Sequence, residues 1–211
     1  MIHINSETNK EIKDNEILFL GCSHTDGEGH TNKTTVYTHL LGKEINLIPL
    51  VDAHRGKGNY LTEEKLNTYN LQNKKVIIQF TDVYRLRLNG VNYDAHGNNS
   101  RFTKAQLEVY TDEVLYGLFF EQVKRMVNLL KANNSKFLFF TLGHPNTNYY
   151  DDLDSIVDIF FDNMKNYDTF CPIALTKYDY DKAEDNFHHG PKSHRFFSKM
   201  LLTQWRKMYD E

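Results

Sequence analysis

Hydrophobic and polar residues alternate in blocks along this chain, and the length and period of each block predict an element. Ile17, Leu18, Phe19 and Leu20 form an unbroken apolar run that stops at Gly21. Lys75–Phe80 (K-V-I-I-Q-F) and Lys136–Leu142 (K-F-L-F-F-T-L) are similar runs. Short runs without alternation suit strands buried on both faces, as in a parallel sheet. Asn46–Val51 predicts another strand, whose Pro49 points to an edge, and Phe170–Leu175 predicts a fifth. Between these strands the apolar positions recur at helical spacing. The pattern predicts helices over about Lys33–Gly42, over Thr62–Asn70 with Thr62 as N-cap, and over Lys104–Ala132. In the last of these, Leu107, Val114, Leu115, Leu118, Phe119, Val123, Met126, Val127 and Leu130 make one stripe. A further helix runs from Asp154 or Ser155 to about Asn166, with Ile156, Val157, Phe160 and Met164 inward. The final helix starts near Pro191, a residue favoured in a first turn, and turns Phe197, Met200, Leu201 and Trp205 inward.

Strands alternating with helices predict an α/β fold: a three-layer, doubly wound, mostly parallel five-stranded sheet of flavodoxin-like type with right-handed crossovers. The segment R-L-R-L-N-G-V-N-Y alternates around Asn89-Gly90, a type I′ hairpin signal, so residues 85–102 read as an excursion from that sheet. Residues 1–15 read as a weakly ordered lead-in or an edge segment. Neither a repeat nor a linker interrupts the pattern, and residues 1–211 are expected to form one domain.

Composition narrows the function. The formal net charge of −3 argues against a broad basic face for nucleic acid. Two cysteines, Cys22 and Cys171, do not make a disulfide framework. The amino terminus lacks the apolar core of a signal peptide, and no run approaches membrane-spanning length. The expectation is a protein that is cytoplasmic or released without a signal peptide, with no membrane partner.

Two stretches carry candidate chemistry. The first is Gly21-Cys22-Ser23-His24-Thr25-Asp26-Gly27, directly after the first strand, at the sheet edge where open α/β folds bind ligands. Ser23 stands where a nucleophile would be useful. The second is Glu184-Asp185-Asn186-Phe187-His188-His189-Gly190-Pro191. An Asp three residues before a His can fold back onto imidazole Nδ1, fix the tautomer and stabilise the imidazolium. Asp185 and His188 would then be the orienter and base that a serine nucleophile needs.

These motifs, in this order at the ends of these strands, resemble the SGNH (GDSL-type) hydrolases. Gly21-Cys22-Ser23 corresponds to the opening G-D-S motif, Gly58 to the glycine after strand two, and Asp185 with His188 to the late D-x-x-H motif. The resemblance implies a serine esterase with a Ser23–His188–Asp185 triad and an oxyanion hole built from the N–H groups of Ser23 and Gly58. It implies no metal and no organic cofactor. The strand-end loops are polar (D-A-H-R-G-K-G-N, G-H-P-N-T-N-Y-Y and D-A-H-G-N-N-S-R), and no long apolar loop could serve as a lid. Short acyl groups, such as acetyl on a glycan or another polar alcohol, are therefore the expected substrates; a catalytically silent ligand-binding or carbohydrate-binding module is the alternative.

Two positions depart from the family pattern. Cys22 replaces the usual Asp; its side chain is expected to point away from that of Ser23 and to be buried. Asp82 stands where the family's G-x-N-D motif supplies an Asn to the oxyanion hole, and a carboxylate opposes an oxyanion. Either Asp82 pairs with Arg85 in a structural role, or Thr81 Oγ or Asn59 donates instead.

The 10 histidines invite a metal reading. His24, Asp26, Glu28 and His30 lie close together, as do His188, His189 and His194, but H-T-D-G-E-G-H matches no zinc spacing. His194, in the first turn of the last helix, reads as a packing residue. Tyr93, His96, Arg101, His144, Asn146, Asn148, Tyr149 and Tyr150 fall in loops or in the excursion, where they could line a carbohydrate cleft.

Overall fold

The computed structural model describes residues 9–55, 58–81, 83, 85–88, 91–94, 108–142, 162–173 and 180–209. Four parallel strands form the sheet in the order β2-β1-β3-β6: β1 is Glu16–Leu20, β2 Ile48–Val51, β3 Lys75–Phe80 and β6 Lys136–Thr141. Strand β1 pairs with β2 from Glu16↔Ile48 and with β3 from Leu18↔Val76, and β3 pairs with β6 from Lys75↔Lys136. Strand β2 is an edge strand, as Pro49 required, because proline cannot donate to a ladder.

The apolar runs have no alternation because each strand feeds two cores. Leu18, Leu20, Val76, Ile78, Phe80, Phe137 and Phe139 face one side. There they pack against α4 (Asp112–Ala132), through Leu115, Phe119, Val123, Met126 and Leu130, and against Leu66 of α3 (Asn59–Leu66). Ile17, Phe19, Ile77, Leu138 and Phe140 face the other side. They meet Tyr37 and Leu41 of α2 (Tyr37–Glu44) and Phe197, Leu201 and Trp205 of α5 (Pro191–Tyr209). Each large side chain fully buried this way stabilises the fold by about 1.5–3 kcal/mol before cavity effects. The architecture is the three-layer α/β arrangement read from the sequence.

Several expectations change in detail. Among the described residues the fifth strand is reduced to one parallel bridge, Phe139↔Phe170; residues 174–175 lie outside the description. The helix expected from Thr62 begins at Asn59, with Gly58 as its N-cap, so Thr62 is a buried residue of the helix body. The helix expected from Lys33 starts as a 3-10 turn (Lys33–Thr35) capped by the Asn32 side chain, and α2 follows. The long stripe is narrower than its hydrophobicity suggests: Val114 is 40% and Leu118 45% exposed. Helix α4 begins at Asp112 and residues 104–107 lie outside the description. Of the lead-in only residues 9–15 are described; there Lys10 bridges Tyr69 in parallel and Ile12 is buried.

The excursion is an antiparallel pair, β4 (Arg85–Leu88) with β5 (Val91–Asp94), in the register Leu88↔Val91 that a two-residue turn requires. Outside the described residues lie that turn, Asp82, His96, Arg101, the segment 143–161 with its expected helix start and loop residues, and the side chain of Tyr93.

Candidate functional site

From the carboxyl end of β1 the chain leads to β2 on one side. From that of its other neighbour, β3, it leads on to β6 on the opposite side, so the outgoing connections diverge between β1 and β3. A crevice opens at such a point. Ser23 lies there as the first residue of a four-residue helix, α1 (Ser23–Asp26), rather than in the open loop expected. Gly27 closes the turn with φ 72°, which an L side chain would resist.

One buried side chain of β3 fixes this turn. Gln79 Oε1 accepts hydrogen bonds from Thr25 Oγ1 (2.7 Å), from Cys22 Sγ (3.2 Å) and from Cys22 N (3.4 Å). Thr25 Oγ1 also pairs with Tyr37 Oη at 2.8 Å. Cys22 is therefore buried and turned into the sheet, as the strand-to-turn geometry predicted. Gln79 was missed from the sequence. Its one signal was a polar residue inside an otherwise apolar strand, whose buried amide has to find partners.

The late motif folds back on itself. Asp185 Oδ2 takes the His188 Nδ1–H at 2.6 Å, and Oδ1 accepts the backbone N–H groups of Phe187 (2.9 Å) and His188 (3.0 Å). Asn186 makes this possible with φ 56°. The His188 bond first, then the two backbone bonds, hold the Asp185 carboxyl well below the usual carboxylate range. With Nδ1 as donor, neutral His188 presents Nε2 as the acceptor.

The two motifs meet. The His24 ring, next to Ser23 in sequence, lies 5.1 Å from the His188 ring in an edge contact and 4.8 Å from that of His189. Burial, then the neighbouring charges of His189, His188, Arg85 and Lys182, push His24 down to about 3, so it stays neutral beside His188. Among the described residues no hydrogen bond joins Ser23 Oγ to His188. Nε2 of His188 instead lies 3.7 Å from Glu28 Oε2, whose other oxygen accepts from Arg55 NH1 at 3.2 Å. Arg55 also grips Asp26 Oδ2 through Nε (3.0 Å) and NH2 (2.9 Å).

Direct loop-to-loop contacts set the approach of the two motifs. Glu184 N donates to Gly29 O (3.1 Å), Thr31 Oγ1 donates to the Glu184 carboxylate, and His30 Nε2 donates to His189 O (2.8 Å). The Asp185 carboxylate sits against Gly29, where an added Cβ would fall 2.5–2.7 Å from its atoms. An open hollow of about 550 Å³ runs beside this seam, lined by Glu28, Gly29, Thr31, Arg55, Glu184 and Asp185 among others. His194 is a packing residue, as expected: it is fully buried and stacked on Tyr37, and its Nδ1 accepts from Tyr37 N at 3.3 Å. Burial first, then the charges of His30, His24 and His189, push it down to about 2.

The donors expected for an oxyanion hole are partly engaged. The Asn59 carboxamide is spent on the backbone of Thr81, with Nδ2 donating to Thr81 O (3.0 Å) and Oδ1 accepting from Thr81 N (2.8 Å). The N–H groups of Ser23 and Gly58 have no acceptor among the described residues. Thr81 Oγ1 accepts from Arg85 NH1 at 3.2 Å. Among the described residues no group of three His, Cys, Asp or Glu side chains is placed to hold a metal, and no helix is long and apolar enough to cross a membrane.

No protein-family model matches the chain. No curated protein matches it by sequence. Solved structures do match by fold. One is a carbohydrate esterase whose active site displays divergent catalytic and non-catalytic binding functions: TM-score 0.58, 15% identity, covering 97% of this chain and 67% of that one. A carbohydrate esterase family 2 enzyme with a carbohydrate-binding domain, from Corynascus thermopiles (Myceliophthora fergusii), matches with TM-score 0.65 and 12% identity over 92% of this chain and 66% of its own. The psychrotrophic esterase EstA from Pseudoalteromonas sp., inhibited by monoethylphosphonate, matches with TM-score 0.56 and 13% identity over 94% and 100%. The present chain thus spans about two thirds of the length of the first two. A GDSL-like lipase from Bacteroides thetaiotaomicron also matches, with TM-score 0.56 and 14% identity over 96% of this chain and 93% of its own, and with its strand order the chain has the fold of the SGNH, or GDSL-type, hydrolases.

Proposed function

We propose that the protein is a serine esterase that removes short acyl groups, acetyl foremost, from a sugar or another polar alcohol. The observation that carries this reading is the 2.6 Å Asp185–His188 bond in a ring cluster that includes His24, the neighbour of Ser23. Ser23 Oγ attacks the ester carbonyl carbon, its proton passes to His188 Nε2, and the carbonyl π pair moves onto oxygen as an oxyanion. Collapse of that intermediate breaks the bond to the alcohol, which leaves with the proton from His188. Water then repeats both steps on the acyl-enzyme. The N–H groups of Ser23 and Gly58 serve as oxyanion donors.

The likeness to carbohydrate-acting esterases and the polar lining of the hollow beside the seam support a small polar substrate. A long acyl chain gains about 0.8 kcal/mol per buried methylene only in an apolar channel. Hydrolysis of p-nitrophenyl acetate is therefore expected to exceed that of the octanoate in kcat/KM, and a clear preference for octanoate would refute the short-acyl assignment. An organophosphonate probe is expected to label Ser23, and Ser23→Ala to lower turnover by at least about 10³-fold with an unchanged Tm. Cys22→Ala is expected to retain most activity, since Cys22 is buried against Gln79.

One observation favours a second reading, a silent binding module: His188 Nε2 faces Glu28 at 3.7 Å. Absence of both turnover and labelling in the wild type would select it.

A further inference from the structure

We propose that Arg85 is the third donor of the oxyanion hole, its guanidinium taking the place of a carboxamide; this rests on the esterase reading above. Arg85 opens β4, and its backbone crosses directly over the start of α3. A Cβ on Gly58 would lie 2.1 Å from Arg85 O, so only glycine lets the two segments approach. From that crossing the side chain turns back toward the sheet, and NH1 donates to Thr81 Oγ1 at 3.2 Å. Thr81 follows the carboxyl end of β3, beside the β1 end that carries Ser23. Gly58, Asn59, Thr81 and Arg85 thus form one unit at the edge of the crevice, locked by the double Asn59–Thr81 bond.

Within that unit the obvious neutral donor is occupied, because the Asn59 carboxamide grips the Thr81 backbone through both its oxygen and its nitrogen. A guanidinium carries five N–H groups in a fixed fork. One of them rests on Thr81, which holds the plane in place while others remain to be donated. The Arg85 charge is also among those that keep His24 neutral, after burial and the two adjacent histidines, which sets the cation within electrostatic reach of the residue next to Ser23. A cation here supplies positive charge where the carbonyl oxygen becomes negative. The guanidinium neither gains nor loses a proton in the step; it donates N–H bonds that strengthen as the oxygen takes up the π pair.

The test is Arg85→Met and Arg85→Lys on p-nitrophenyl acetate, a neutral ester with no anionic group for an arginine to recognise. The expected result for Arg85→Met is a fall of about 10²- to 10³-fold in kcat, as for loss of one oxyanion donor, with KM within about 3-fold. Arg85→Lys is expected to lie between that and wild type. Added guanidinium chloride at millimolar concentration is expected to restore part of the turnover of Arg85→Ala. Rescue by the free cation shows a missing donor rather than a damaged fold, so it decides the matter even where a variant loses stability. Turnover of Arg85→Met within about 3-fold of wild type, or a loss carried wholly in KM, overturns the proposal. If the wild type turns over through Ser23 while Arg85→Met is unimpaired, only the role of Arg85 fails. If Ser23→Ala keeps full activity, or the wild type has none, the esterase reading falls and this role with it.

Discussion

The turn that carries Ser23 and the loop that carries Asp185 and His188 are held in different ways. The Ser23 turn is bolted to the sheet: Gln79, in the central strand β3, receives three hydrogen bonds from Cys22 and Thr25. The late loop has no such strand anchor among its described contacts. Asp181 ties it to the start of α5 through Lys192 N (2.9 Å) and Ser193 N (3.0 Å). Gly29, His30 and Thr31 tie it to the nucleophile segment itself. Ser23 therefore takes its position from the fold, and His188 takes its position from the segment that follows Ser23. A change in the seam between them should move the base while leaving the core intact.

The largest expected effect tests the late loop from within. Asp185→Asn removes the negative charge and leaves an amide that can donate to Nδ1, favouring the wrong tautomer of His188. Turnover should fall on the order of 10³- to 10⁴-fold. A fall below tenfold in steady-state kinetics would break the triad reading.

Acid tests the Ser23 turn and the helix that follows the late loop, since each buries one neutral histidine. Unfolded histidines ordinarily titrate near 6.5, whereas burial and nearby charges push His24 down to about 3 and His194 to about 2. Their contribution to stability is complete above pH 6.5. As pH falls below that value the unfolded chain takes up protons that the folded chain refuses. Stability should then drop by about 1.4 kcal/mol per pH unit for each histidine. Urea melts between pH 7 and 4 measure this slope, and His194→Gln should reduce it by about half. A stability flat over that range would show that neither histidine is held neutral.

The seam itself is tested by Gly29→Ala. The added methyl meets the Asp185 carboxylate, and φ 81° already disfavours a side chain there. A fall in kcat of about tenfold or more is expected, with about 1–3 kcal/mol of stability lost. Loss of stability with unchanged kcat would show that the loops dock independently of that contact. Glu184→Gln should have the smallest effect. It keeps the shape that meets Thr31 and loses only an exposed charge-assisted bond, so an unchanged Tm and at most a few-fold fall in kcat are expected.

The same contrast explains what could be read from the sequence. Strand β1 was legible to its end residues because apolar runs buried on both faces have no alternative period. The Asp185–His188 contact was legible because it is local, three residues apart with a turn-former between. The start of α3 was not, because its N-cap is Gly58, which acts through backbone approach rather than through a capping side chain. The exposed Val114 and Leu118 were misplaced because periodicity marks a stripe but not its width. Gln79, Gly29 and Arg55 act across distant segments, and such contacts leave no spacing to detect.

The bond from His30 to the carbonyl of His189 spans 159 residues of chain, and it lies within the seam that seats the base. Contacts so remote in sequence must await closure of a very long loop, and the entropy of that closure comes due before any reward. The strands and their covering helices can assemble by shorter steps, whereas the seam closes only when α5 docks and places Trp205 in its core. Seating of the His188 loop therefore waits on α5, whose first-turn N–H groups of Lys192 and Ser193 hold Asp181. A chain halted in synthesis before α5 would carry Ser23 and His188 but lack the helix start to which the His188 loop is tied through Asp181.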